Sequence, residues 1–162
     1  MTVEVGARAP EFTLMGIDGE TYALAEALER GPVVLAFFKT TCETCDLALP
    51  YINRLRESYT DGWSLWAVAQ DPQADARSYA SAYGIDYPVL PDVDGYPASK
   101  AYDPPATPTL FLIDKGGEVV RQSVGFSKEE LNDISAALAE RLGAEAVIVA
   151  PGDDGNPDFR PG

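Results

Sequence analysis

Two cysteines separated by two residues carry the most reactive side chains in this sequence. Cys42 and Cys45 are its only cysteines, and it contains no histidine. We predict a buried strand before the pair and a helix from Glu43 onward. Free amide groups and the helix dipole at a helix start stabilise an anion, so Cys42 is expected to react as a thiolate. Cys45 lies one turn deeper and is expected to resolve a mixed disulfide.

Other interpretations of the pair are a structural disulfide, half of a metal site, or two unrelated core thiols. A zinc site needs more Cys and His ligands than this chain holds. A fixed disulfide is unusual in the cytoplasm, and this one would close too short a loop to stabilise much. We therefore predict thiol-disulfide exchange with no cofactor and no bound metal.

The charge balance of the chain excludes two classes of partner. Its 12 basic and 26 acidic residues give a formal net charge of -14, which repels nucleic acids and anionic membrane surfaces. The absence of histidine removes the commonest general base and every triad that depends on an imidazole. The expected partners are a disulfide-containing protein or small thiol substrate and a recycling reductant.

The size of the chain and its first residues bear on its organisation. A length of 162 residues suits one domain, expected over residues 1–150 and monomeric. The start of the chain, Met1 to Val5, is short and acidic, unlike a signal peptide, so a cytoplasmic protein is expected. Residues 151–162 are rich in Pro, Gly and Asp and have little to bury, which predicts a disordered tail dispensable for activity.

Strand and helix patterns alternate along the chain. They predict a mixed α/β fold, with a central sheet flanked by helices on both faces and an N-terminal hairpin whose strands cover residues 9–14 and 22–24. The predicted strands cover residues 33–38, 64–70, 87–90, 109–114 and 118–124, and the predicted helices cover residues 43–59 and 74–83, with a helical turn at 99–102. Ser127 and Glu130 form a capping box for a last helix, which Gly143 ends.

Several of these segments resemble the thioredoxin-like superfamily, in particular its TlpA-like and redoxin branch. The active-site segment is similar over residues 33–50, including Pro50 inside the helix. Residues 9–14, Asp18-Gly19, Gln70-Asp71 and residues 87–92 match that branch, and the resemblance spans residues 7–142. It implies a thioredoxin-like fold and a thiol-disulfide oxidoreductase.

The resemblance also implies a substrate-binding loop. Thr107-Pro108 is similar to the family's cis-proline motif, which lies beside the cysteine pair and exposes backbone groups to an extended substrate strand. Thr41, before the first cysteine, joins Thr107 and Pro108 as an expected substrate-binding residue. Thr41 replaces the usual Trp, and Glu43-Thr44 replaces Gly-Pro, so the family's redox potential is not carried over.

Two further positions depart from the family pattern. Relatives carry acidic residues near the second cysteine at two positions that hold Ala36 and Met15 in this chain. No carboxylate is therefore assigned to deprotonate Cys45. Lys39 and Glu43 are interpreted as solvated charges.

Two alternative functions compete with this prediction. A peroxiredoxin carries a Thr three residues before its reactive cysteine and an Arg later in the chain, but these positions hold Lys39 and Pro108. A non-catalytic binding or chaperone module of the same fold would have no need of two thiols at a helix start.

Overall fold

A five-stranded mixed sheet forms the centre of the computed structural model, which describes residues 1–162. Its strands, from one edge to the other, are β5 (Val89–Pro91), β4 (Ser64–Ala69), β3 (Val33–Phe38), β6 (Thr109–Ile113) and β7 (Val119–Val124). The pairs β3–β4 and β4–β5 are parallel, whereas β3–β6 and β6–β7 are antiparallel. A separate N-terminal hairpin joins β1 (Thr13–Met15) and β2 (Thr21–Ala23).

Helices cover both faces of the sheet, as predicted. They are α1 (Leu24–Glu29), α2 (Glu43–Ser58), α3 (Gln73–Tyr83), α4 (Pro97–Tyr102) and α5 (Lys128–Leu142). Because successive side chains of a strand point to opposite faces, β3 contributes to two cores. Val34, Ala36 and Phe38 pack in the core with α2, α3 and α5. The alternate residues of β3 pack in the second core with α1 and α4.

The sequence patterns predict most of the positions at which helices and strands begin and end, with two differences. Leu24, expected at the end of a strand, instead begins α1 and is buried. The capping box is half formed: the Ser127 hydroxyl accepts a bond from the Glu130 amide at 3.1 Å, but the Glu130 carboxylate accepts one from the Val124 amide at 3.2 Å. None of the helices is both long enough and apolar enough to cross a membrane.

The segment 151–162 differs from its prediction, because it is packed on the domain rather than disordered. Two short strands, β8 (Phe126–Ser127) and β9 (Phe159–Arg160), pair in antiparallel fashion. The Asp154 carboxylate accepts bonds from the Tyr51 hydroxyl and from the Lys128 ammonium group, the latter at 2.7 Å. Polar contacts therefore hold a segment whose composition offers little apolar surface.

Candidate active site

Cys42 lies at the start of α2, on the loop that leaves β3. Asp71, which follows β4, accepts bonds from the Thr40 amide at 2.8 Å and the Thr40 hydroxyl at 3.0 Å, and so fixes this loop. The half-buried Cys42 has extended backbone angles and caps the helix, because its sulfur accepts a bond from the Cys45 amide at 3.1 Å. The Cys42 sulfur thus satisfies one of the free amides in the first turn of α2.

Cys45 lies in the first turn of α2 with 0% of its surface exposed. Burial raises the pKa of the Cys45 thiol, and the neighbouring Cys42 sulfur raises it further. Both cysteines are free thiols. The two thiols of the pair therefore differ in environment, one reachable from solvent and one enclosed in the core.

The loop of residues 106–108, which we name the Thr107 loop, lies against the cysteine pair. The Thr107–Pro108 peptide bond is cis, and the Cys42 thiol donates to the Thr107 carbonyl oxygen at 3.3 Å. The Gly125 amide donates to the Pro108 carbonyl at 2.8 Å, which ties this loop to the end of β7. Thr41 is exposed beside Cys42. Four of the five predicted site residues thus meet at one end of the sheet, and Thr41 adjoins them along the chain.

No carboxylate stands at the two family positions noted from the sequence. Ala36 is buried in β3, and Met15 is exposed on β1. The next residue of α2 after Cys45 is Asp46, whose carboxylate accepts a bond from the Tyr79 hydroxyl at 2.8 Å. Burial, and then this bond, raise the pKa of Tyr79, so its hydroxyl holds its proton. No cluster of three or more His, Cys, Asp or Glu side chains is arranged to hold a metal ion.

Sequence reasoning missed the contacts that the two residues between the cysteines make. Glu43, interpreted as a solvated charge, forms an ion pair with Arg160 at 3.0 Å. Thr44 is buried, and its hydroxyl donates to the Pro161 carbonyl at 2.9 Å. The available signal was Phe159-Arg160, an aromatic and a basic residue within a segment otherwise dominated by Pro, Gly and Asp.

Comparison with known proteins identifies relatives of this site. The family model described as the AhpC/TSA family matches residues 5–122. Thiol-disulfide oxidoreductase ResA of Geobacillus kaustophilus is 33% identical over 132 residues, covering 80% of this chain and 75% of that protein. ResA of Bacillus anthracis is 32% identical over 130 residues, covering 79% and 74%.

A solved structure from Chlorobium tepidum, assigned as thiol:disulfide interchange protein DsbE, superposes with a TM-score of 0.77. It is 28% identical and covers 88% of this chain and 100% of its own. The fold and the activity implied by the sequence resemblance are confirmed by these matches. The chain belongs to the AhpC/TSA family and is a thiol-disulfide oxidoreductase of thioredoxin-like fold, similar to ResA.

Proposed function

We propose that Cys42 attacks the disulfide of a protein or small-molecule substrate and that Cys45 resolves the product. The observation that carries this assignment is the contrast between the two sulfurs. Cys42 is half-buried at the helix start, whereas Cys45 is enclosed. Because burial raises the pKa of Cys45, this residue stays a thiol while the Cys42 thiolate attacks.

The reaction divides into two exchanges. The Cys42 thiolate attacks one substrate sulfur, the substrate S–S bond breaks, and a mixed disulfide forms while the other substrate sulfur leaves as a thiolate and takes a proton from solvent. Cys45 then gives its proton to solvent and attacks the Cys42 sulfur, which releases the second substrate thiolate. The substrate gains the pair of electrons that the two cysteines lose. A dithiol reductant then reduces the Cys42–Cys45 disulfide and completes the cycle.

The Thr107 loop supports the substrate side of this proposal. Its carbonyl at Thr107 lies 3.3 Å from the Cys42 sulfur. An extended chain placed here would present its disulfide to Cys42 while its backbone groups bond those of the loop.

Serine variants of the two cysteines test the assignment. We expect Cys45→Ser to attack substrates but not to release them, so that a covalent adduct accumulates on Cys42. Cys42→Ser is the matched control, and it is expected to lose turnover and to form no adduct. The measurement is intact-protein and peptide mass spectrometry after incubation with a disulfide peptide. Adducts on Cys45, or turnover by Cys42→Ser, would reverse the assignment.

A further inference from the structure

Residues 157–162, which we name the strap, run across the active-site end of the sheet. Strap residue Arg160 pairs with Glu43, and the Pro161 carbonyl accepts a bond from the buried Thr44 hydroxyl. Both partners belong to the pair of residues between the two catalytic cysteines. The strap therefore contacts the catalytic motif itself rather than a distant face.

The strap also fills the space beside the Thr107 loop. A side chain at Gly162 would place its Cβ 2.4 Å from the Thr107 carbonyl oxygen, so the two backbones are in direct contact. Beneath the strap, Gly125 has φ +69°, and a Cβ there would lie 2.8 Å from the Arg160 carbonyl oxygen. Glycine at both positions permits this close approach. The groove in which an extended substrate would lie against Thr107 is thus occupied by the chain's own backbone.

Different contacts hold the two ends of the segment 151–162. Asp154 bonds Tyr51 and Lys128, and Lys128 is only 4% exposed, which makes this end a fixed anchor. At the active-site end the pairing of Arg160 with Glu43 is exposed, and exposed pairs contribute little to stability. Phe159, in the same strand, is 60% exposed. To leave the groove the strap must also break the Thr44 bond and the β8–β9 pairing, whereas the bonds of Asp154 do not depend on the strap and keep the anchor in place.

We propose that the strap determines substrate class by competing with extended polypeptides for the groove beside Thr107. Compact disulfides reach the half-buried Cys42 with the strap closed, whereas a polypeptide binds only after displacing it. This inference rests on the proposed role of Cys42 as the nucleophile. A strap closed roughly nine tenths of the time would weaken apparent polypeptide binding about tenfold.

Rate constants with two uncharged disulfides test the proposal. One probe is bis(2-hydroxyethyl) disulfide, and the other is an uncharged peptide dimer linked by a disulfide. A chain ending at Asn156 lacks the strap but keeps the anchor. We expect it to reduce the peptide about tenfold faster than the full chain, and the small disulfide at a rate within about twofold, in single-turnover experiments.

A point variant separates the strap contact from chain length. Arg160→Glu replaces attraction to Glu43 by repulsion and is expected to raise the peptide rate constant in part. Arg121→Glu makes the same change at an exposed position of β7 and is expected to change neither rate constant. Equal peptide rates with and without the strap, or a slower peptide reaction without it, would overturn the proposal. Failure of the full chain and the truncated chain on both probes would instead overturn the proposed function.

Hydrogen exchange gives a direct reading of strap position. The Lys128 amide donates to the Asp158 carbonyl at 3.0 Å, so its protection reports a closed strap. In Cys45→Ser carrying the peptide as a mixed disulfide, we expect this amide to lose protection. In the same variant carrying 2-mercaptoethanol as a mixed disulfide, we expect it to stay protected. Retained protection with the peptide adduct would show that strap and substrate coexist, and would overturn the competition.

Discussion

At the residue scale, the two cysteines acquire different reactivity from positions one helical turn apart. The Cys42 sulfur accepts a bond from the Cys45 amide within a half-buried residue, whereas Cys45 is enclosed. This contrast followed from the sequence, because a strand before the pair and a helix after it fix which thiol lies deeper. The contacts of Glu43 and Thr44 did not follow, because their partners are more than a hundred residues away along the chain.

The first prediction at this scale concerns the reactivity of Cys45 as a function of pH. Its pKa is raised above the ordinary 9.0, so its thiolate is scarce at neutral pH and grows only in strongly alkaline solution. A raised pKa lowers the thiolate fraction and burial limits access of the reagent, so at pH about 7.5 iodoacetamide is expected to label Cys45 more slowly than an unfolded thiol.

Peptide mapping of the reduced protein by mass spectrometry measures this rate, and the same protein unfolded in guanidinium chloride is the control. The raised pKa of Cys45 also determines how the free energy of unfolding changes with pH. The contribution of the buried Cys45 thiol is complete below its ordinary pKa of 9.0 and is lost as pH rises through the folded value. Labelling of native Cys45 at the unfolded rate near neutral pH would contradict the enclosed position.

At the element scale, the start of α5 is held by one side chain. The Ser127 hydroxyl accepts a bond from the Glu130 amide at 3.1 Å and is the only side-chain cap there. Removing an N-cap hydroxyl costs about 1 kcal/mol of folding free energy. We therefore expect Ser127→Ala to lower the free energy of unfolding by about 1 kcal/mol, measured by chemical denaturation.

Ser78→Ala is the matched control, because Ser78 is exposed in the interior of α3. Alanine is the better helix former, so this change is expected to leave stability unchanged or slightly raised. If both variants lost the same free energy, the effect would come from the loss of any serine rather than from the cap.

Elements with a strong local pattern were predictable. The buried run at Val33–Phe38 matches β3, and the turn between two alternating segments matches the hairpin of β6 and β7. Two short elements, α1 and β9, were not predicted, because they have only six and two residues, too few for a period to show. The packing of residues 151–162 depends on charged and hydroxyl groups, which a count of apolar residues does not detect.

At the scale of the whole molecule, the chain carries a large excess of acidic charge. The net charge is -14, and the positive Arg160 near the site is paired with Glu43. Lys39 is exposed on the loop before Cys42 and carries the opposite sign to the surface as a whole. The monomeric state and the cytoplasmic location expected from the sequence stay predictions.

The overall charge predicts how salt changes the rate with charged substrates. A strongly negative surface concentrates cationic disulfides near it and depletes anionic ones. Raising the ionic strength from about 0.01 M to about 1 M shortens the Debye length from about 30 Å to about 3 Å and removes both effects. We expect the rate constant for cystamine, a cationic disulfide, to fall about threefold or more, and that for anionic dithiodipropionate to rise by a similar factor.

Bis(2-hydroxyethyl) disulfide is the neutral control, and its rate constant is expected to be independent of salt. The measurement is the single-turnover reduction of each compound at fixed pH. Because each compound is compared with itself at two salt concentrations, the intrinsic reactivity of its sulfurs is matched, and salt should act mainly through encounter. If dithiodipropionate instead slowed as salt rose, the field at Cys42 would be set by Lys39 and the helix start rather than by the acidic surface.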